Sequence, residues 1–218
     1  MKSSARLLFG AACALLVSGC QTPPARPGMR PSVQIAAEET PEWQGVASAQ
    51  DAERIAALDA AWREALAAAG KRAAAEGELL DPKAALPRPA PSPGSYMCRL
   101  IRFGSAKPRD PEYQAFKPFF CHVGVNGDQL SITKQTGSER PAGYLWDDVN
   151  KHRMIFLGSL ALGNEDAPLS YGEDPARDMA GIFERIGPLR FRLVVPRPRG
   201  TAKLDVIELV PAPVQSEG

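Results

Sequence analysis

The sequence predicts a small antiparallel β-barrel, or a curved β-sandwich, of about eight strands with an amphipathic helix packed against it. Short runs rich in large apolar residues follow one another between residues 95 and 211, separated by turn residues. No helical pattern alternates with these runs, which argues against a parallel α/β sheet. Closure into a barrel also removes the exposed edges that an open sheet must protect.

The chain begins with the organisation of a bacterial export signal. Lys2 and Arg6 flank the start, and an apolar run over residues 7–17 follows, too short to span a bilayer as a helix. We therefore assign residues 1–19 to a signal peptide. Residues 20–47 contain a cluster of prolines and few apolar residues, which predicts a tether between the membrane and the folded part.

The end of the signal resembles the lipobox of bacterial lipoproteins: Val17-Ser18-Gly19-Cys20. The resemblance implies cleavage before Cys20 and acylation of its thiol with palmitate or similar chains. Several acyl chains hold a protein stably at a membrane. The residue after Cys20 is Gln21 and not Asp. In lipoproteins of this type, a residue other than Asp at this position implies transport to the outer membrane of a Gram-negative cell. We expect a lipid anchor at Cys20 and a chain that faces the periplasm.

Charge and histidine content restrict the function classes. The chain has 26 Lys and Arg against 25 Asp and Glu, so it lacks the strongly basic surface that binds nucleic acid. With only His122 and His152, a His-rich metal site is excluded. No phosphate-binding loop, zinc-protease motif or dinucleotide glycine run occurs, and neither Ser138 nor Ser159 lies in a nucleophile elbow. We predict no cofactor and no metal, and the sequence favours a protein that is not an enzyme.

The single domain is expected over residues 48–211, with a helical part over 48–86 and a tail over 212–218. Ser48 with Asp51 forms the start of a capping box. Apolar residues then recur at helical spacing. They are Ile55, Leu58, Trp62 and Leu66. Gly70 is a plausible helix stop, a weaker helical stretch covers residues 71–80, and prolines between 87 and 93 end the helical part.

The barrel part covers residues 95–211. The predicted strands are 96–103, 119–125, 128–133, 143–146, 153–162, 179–186, 190–195 and 204–210. Asn126-Gly127 between two strands is a hairpin signal. A two-residue loop there pairs Val125 with Asp128 and Val123 with Leu130, and it places Cys121 on the same face as these apolar residues.

Two cysteines remain for the folded part. Cys13 lies in the signal and Cys20 is the expected lipid anchor, which leaves Cys98 and Cys121 in an exported protein. A reactive or redox pair is the alternative, but the spacing is not C-x-x-C and no basic cluster favours a thiolate. We predict a structural disulfide between Cys98 and Cys121.

Four charged residues are candidates for ligand binding because the predicted barrel places them in its wall or mouth. They are Arg140, Asp178, Glu184 and Arg185. Glu184-Arg185 interrupts an apolar strand, and a charge that points into a barrel needs a partner or a ligand. The alternative is an outward-facing charge in a salt bridge.

Several segments between residues 43 and 211 carry a family resemblance. They include Trp62 in the helix, Thr136-Gly137-Ser138-Glu139-Arg140-Pro141, and the segments 77–82, 96–99, 120–121, 156–158, 177–181, 184–188 and 204–209. In these the chain resembles a family of exported bacterial proteins described as domain of unknown function 4893. The resemblance implies one unit of helix and strands with Cys98 and Cys121 in its framework, and it implies no activity, cofactor or catalytic residue.

Three function classes remain open. The first is a binding module that holds a small apolar or amphiphilic ligand, and an open aliphatic barrel interior would favour it. The second is an envelope scaffold, or a protease-inhibitor-like barrel, that contacts an envelope protein through its loops; a filled interior would favour it. The third is a hydrolase that uses His122 or His152, which requires a serine or carboxylate within hydrogen-bond reach.

Replacement of Cys20 by Ser tests the lipid anchor. We expect the variant to lose palmitate labelling and to leave the membrane fraction, because the lipobox directs acylation to the thiol at position 20. Labelling and fractionation of cells that express each form measure this. Continued labelling and membrane retention of Cys20→Ser would contradict the assignment.

Overall fold

A computed structural model describes residues 40–104, 110–198 and 202–213. The expected signal peptide and Cys20 lie outside the described residues, as does most of the expected tether. Within the described part, no helix is long and apolar enough to cross a membrane.

The described part contains nine strands. They are β1 (Gly94–Phe103), β2 (Tyr113–Ala115), β3 (Phe119–Asn126), β4 (Gln129–Lys134), β5 (Glu139–Asp147), β6 (Arg153–Leu162), β7 (Asp178–Gly187), β8 (Arg190–Pro196) and β9 (Leu204–Pro211). Each strand from β3 to β9 pairs antiparallel with the next, and β1 pairs with both β3 and β9. The result is a closed eight-stranded barrel with β2 as an extra strand, which confirms the predicted fold class.

Strand β2 escaped prediction because it is only three residues long. It pairs with the last residues of β1, Ile101 to Phe103, along the same edge that β3 uses at the start of β1. Residues 116–118 separate β2 from β3. Together β2 and β3 therefore follow the full length of β1 as one interrupted strand.

The predicted register of the β3–β4 hairpin is wrong by two residues. Asn126 pairs with Gln129, and Val125 pairs with Leu130 instead of Asp128. The central residues of the turn are Gly127 and Asp128, and Gly127 has a φ of 61°. Glycine at the first central position is typical of a type II′ turn. Because the error is two residues, the predicted assignment of side chains to faces is unaffected.

The predicted long helix is broken, and other short helices surround it. The helices are α1 (Trp43–Val46), α2 (Ala49–Ala56), α3 (Leu58–Ala69), α4 (Lys71–Ala74) and a 3₁₀ helix (Gly77–Leu80). Helix α1 lies within residues 20–47, the stretch that the sequence assigned to the tether. The side chain of Ser48 accepts a hydrogen bond from the Asp51 backbone N–H at 3.1 Å, as the capping pattern predicts.

The break at Ala57 lets the helices follow the outside of the barrel. Ile55 in α2 packs on the outer face of β6 and β7, whereas Trp62 in α3 packs on β1, β8 and β9. One straight helix cannot contact both surfaces, since the barrel wall curves away between them. The apolar periodicity therefore predicts the packed face of the helices but not the bend between them.

The barrel interior is a packed apolar core. Inward residues from all eight strands form it, among them Tyr96, Val123, Phe156, Phe183, Phe191 and Leu209. Cys98 and Cys121 also point inward, and a disulfide joins them with their Cα atoms 6.0 Å apart, within the usual range. The predicted disulfide is confirmed.

Two inward glycines make room for the Phe156 ring. A Cβ atom at Gly143 would lie 2.8 Å from that ring and 2.4 Å from the Gly158 Cα atom on the neighbouring strand. Such distances are far below van der Waals contact. The interior is filled by aromatic rings because these positions carry no side chain.

Arg192 connects the helical part to the barrel through an ion pair and hydrogen bonds. It points outward from β8 and is 0 % exposed. Its Nε atom donates to Glu184 at 2.7 Å, and its Nη1 atom donates to backbone carbonyl oxygens around the 3₁₀ helix. These acceptors belong to Glu78, Leu79 and Asp81, at 3.1, 3.0 and 2.8 Å. The guanidinium carbon lies 5.1 Å from the centre of the Trp62 ring. One buried cation thus neutralises Glu184 and donates hydrogen bonds to three backbone carbonyl oxygens at the end of the helical part.

Replacement of Arg192 by Met should lower the free energy of unfolding by about 3–5 kcal/mol, because it leaves the Glu184 carboxylate buried without its cation. Arg190→Met is the matched control, since Arg190 is more exposed and its ion pairs should contribute about 1 kcal/mol or less. Urea unfolding of both variants measures the difference. Equal decreases in the free energy of unfolding of the two variants would show that Arg192 contributes no more to stability than Arg190.

Candidate functional site

Four charged side chains lie together at one end of the barrel interior. In β1 the residues Tyr96, Cys98 and Leu100 point inward, so strand alternation also directs Arg102 inward at the end of the strand. The same alternation applies to the ends of β4, β5 and β9. We call this end of the barrel the mouth, and define it by Arg102, Lys134, Glu139 and Asp205.

Arg102 and Asp205 form an ion pair across the seam that closes the barrel. They are direct partners in the β1–β9 register. The Nε and Nη2 atoms of Arg102 donate to the two carboxylate oxygens of Asp205 at 2.7 and 2.6 Å, a bidentate geometry. The hydrogen bonds with Asp205 raise the pKa of Arg102 above its ordinary value. The guanidinium group is therefore committed to a partner inside the protein.

Lys134 has a different environment. Its Nζ atom lies 4.4 Å from the centre of the Phe119 ring, and it forms no ion pair or hydrogen bond with any described residue. Burial lowers the pKa of Lys134, while the charge of Glu139 acts in the opposite direction and those of Arg102 and Arg140 reinforce the decrease. Lys134 is thus a half-buried ammonium group that contacts an aromatic ring and has no carboxylate partner among the described residues.

A small cavity lies just below these charges. Its volume is about 50 Å³, and its apolar walls are Leu100, Phe119, Pro141, Leu160, Met179, Pro198 and Ile207. A groove of about 470 Å³ lies outside it, between residues 116–119 and the β4–β5 turn. Phe119 and Lys134 line both spaces. They also line a gap of about 10 Å³ deeper in the barrel. The three spaces therefore adjoin one another at Phe119 and Lys134.

Arg140 is one of the four residues that the sequence nominated for ligand binding. It points outward and donates from Nη1 to the backbone carbonyls of Gly137 at 2.8 Å and Gly163 at 2.7 Å. Its Nη2 atom donates to the Glu165 carbonyl. Arg140 thereby ties together two loops beside the mouth.

The other three nominated residues lie elsewhere. Glu184 points outward to Arg192, as the salt-bridge alternative requires. Arg185 lies at the opposite end and donates to the backbone carbonyls of Pro87 and Arg88. Asp178 is buried beneath the β6–β7 loop and accepts hydrogen bonds from the Gly172 N–H at 3.0 and 3.2 Å. The structure does not bring the four nominated residues together.

Sequence reasoning missed the mouth itself, although a signal existed. Inward positions in β4 are Leu130 and Ile132, so the next inward position is Lys134. The same extension from Cys98 and Leu100 leads to Arg102. Both residues are charged positions on an otherwise apolar face, but the predicted strands 128–133 and 143–146 stopped short of Lys134 and Glu139.

Neither histidine is placed for catalysis by the described residues. His122 is exposed on the outer face of β3, and His152 is exposed in the β5–β6 turn. No described hydroxyl or carboxylate is hydrogen-bonded to either imidazole. The described residues also contain no group of three or more His, Cys, Asp or Glu side chains that could hold a metal ion.

Comparison with known proteins gives one match. The model of a family described as a domain of unknown function (DUF4893) matches residues 43–209. These residues extend from helix α1 into β9, so they include the barrel, Arg192 and the mouth. No curated protein and no solved structure matches the chain.

The buried carboxyl of Asp178 predicts a pH effect on stability. Burial raises the pKa of Asp178 above its ordinary value of 3.8, with the charge of Asp51 adding to the increase and the Gly172 hydrogen bonds opposing it. At pH values between 3.8 and the raised pKa, the folded chain therefore binds more protons at Asp178 than the unfolded chain does. The Asp178 contribution to the free energy of unfolding must then fall as pH rises.

Asp178→Asn should remove this contribution while it keeps an oxygen that accepts from Gly172. The stability difference between wild type and variant should shift in favour of the variant as pH rises from 4 towards neutrality, in urea unfolding at several pH values. Asp166→Asn, at an exposed aspartate, is the control and should show no such trend. A pH-independent difference for Asp178→Asn would contradict the interpretation.

Proposed function

The chain belongs to the family described as a domain of unknown function (DUF4893), and from that premise we propose that it is a non-catalytic binding module of the cell envelope. We propose further that its ligand enters the barrel at the mouth. The family description carries no activity, so the proposal depends on the chemistry of the described residues.

The observation that carries the proposal is the apolar cavity beside the charged side chains of the mouth. The interior is filled with side chains over most of its length. At the mouth, a small apolar cavity lies beside a larger groove. Three charged residues, Arg102, Lys134 and Glu139, line both spaces. Binding sites for small molecules typically combine apolar walls with a few convergent polar groups. The mouth has this composition, with room for a small part of a ligand.

The envelope location rests on the sequence and on the cysteines. The signal over residues 1–19 and the lipobox ending in Cys20 favour a lipid anchor in the outer membrane. The disulfide between Cys98 and Cys121 supports an exported location, since such bonds persist in oxidising compartments. The residues between Cys20 and helix α1 would hold the barrel away from the membrane surface and leave the mouth accessible from the periplasm.

A second candidate function uses the other end of the barrel. Three turns there present exposed aliphatic side chains: Val125 is 58 % exposed, Val149 59 % and Leu189 63 %. Exposed apolar residues on neighbouring turns favour contact with a protein partner. An envelope scaffold or an inhibitor-like barrel would use this end. A hydrolase has less support, because no described nucleophile is paired with His122 or His152.

Binding of the fluorescent anion 8-anilinonaphthalene-1-sulfonate distinguishes the two ends. We expect one site on the exported Cys20→Ser chain, and we expect Phe116→Ala to weaken it about tenfold through loss of an aromatic contact in the groove. Leu189→Ala, at an exposed residue of the opposite end, is the matched control and should leave the affinity unchanged. Loss of binding only in Leu189→Ala would favour the second candidate.

A further inference from the structure

We propose that the mouth binds a small apolar monocarboxylic acid, whose carboxylate accepts hydrogen bonds from Lys134 and whose hydrocarbon chain contacts the apolar cavity and groove. This inference rests on the proposed function and specifies the ligand class of the same site. It depends on which charged groups of the mouth already form ion pairs, on the size of the cavity and on the charges of the described residues that line it.

Lys134 is the cation of the mouth that has a free hydrogen-bonding capacity among the described residues. The guanidinium of Arg102 already makes a bidentate ion pair with Asp205. The Lys134 ammonium group carries three donors, and it lies over the face of the Phe119 ring. A carboxylate oxygen at hydrogen-bond distance from Nζ would supply the missing acceptor in a charge-assisted bond.

The walls next to Lys134 suit a hydrocarbon chain. Leu100, Leu160, Met179 and Ile207 surround the cavity below the charges. A volume of about 50 Å³ admits only part of a short chain, so the rest must lie along the groove. There the Phe116 and Phe119 rings offer an apolar surface. A chain of a few carbon atoms reaches both spaces, whereas a bulky ring system does not enter the cavity.

The surrounding charges favour a single negative charge over a double one. Asp205 and Glu139 are both carboxylates of the mouth, and Arg102 is already neutralised. The two cations and two carboxylates that define the mouth cancel formally, so a phosphate monoester with up to two negative charges would leave a larger excess of negative charge than a monocarboxylate. Like charges at such short range repel each other, and the more so in a site that is partly shielded from water. A monocarboxylate brings one charge, which Lys134 alone can balance.

Isothermal titration of the exported Cys20→Ser chain with hexanoate, hexanol and hexyl phosphate tests the inference. Hexanoate should bind at least about tenfold more tightly than hexanol, as one charge-assisted hydrogen bond requires, and more tightly than hexyl phosphate. Lys134→Met keeps the length and apolar stem of the side chain, and it should abolish the preference for hexanoate over hexanol. Lys134→Arg keeps the charge and should retain the preference. Lys83→Met, at an exposed lysine far from the mouth, should behave like wild type.

The outcomes separate this inference from the proposed function. Equal binding of hexanoate and hexanol in the wild type would overturn the carboxylate assignment but leave an apolar binding site at the mouth. Tighter binding of hexyl phosphate, or an undiminished hexanoate preference in Lys134→Met, would also overturn it. Absence of binding of all three compounds would overturn both the inference and the mouth as a ligand site.

Discussion

Closure of the sheet between β1 and β9 is the constraint on which the rest of the structure depends. These strands pair along their length, from Tyr96 with Pro211 to Phe103 with Leu204. Once the sheet is closed, strand alternation decides which residues enter the barrel and which face the helices. The Arg102–Asp205 ion pair lies across this same seam, facing inward. The contact that closes the barrel therefore also supplies two of the four charges of the mouth.

Packing fills most of the barrel interior and covers part of its outer surface. The interior is filled by rings such as Phe156, for which Gly143 and Gly158 leave space. Outside, Arg192 holds the helical part against β1, β8 and β9 through Glu184 and three backbone carbonyls. The side chains of the core and the contacts of the outer helical layer thus stabilise the fold. The mouth, the turns at the opposite end and the outer face of β3 remain accessible.

Much of this architecture could be predicted from the sequence, because period-two patterning, turn residues and the two remaining cysteines depend on local chemistry. The bend at Ala57 could not, since it reflects the curvature of a barrel that forms from distant residues. The nominated residues Glu184 and Arg185 were recognised as unusual, but their partners Arg192, Pro87 and Arg88 are set by tertiary contacts. Lys134 and Arg102 were missed because their roles appear only when strand ends from across the barrel are brought together.

We propose that ligands bind at the mouth and not at the opposite end of the barrel. Intermolecular nuclear Overhauser effects between hexanoate protons and the methyl groups of the protein test it most directly, since they report which side chains the ligand touches. We expect effects to methyl groups that surround the cavity, those of Leu100, Leu160, Met179 and Ile207. Effects confined to Val149 and Leu189, on turns at the opposite end, would contradict it.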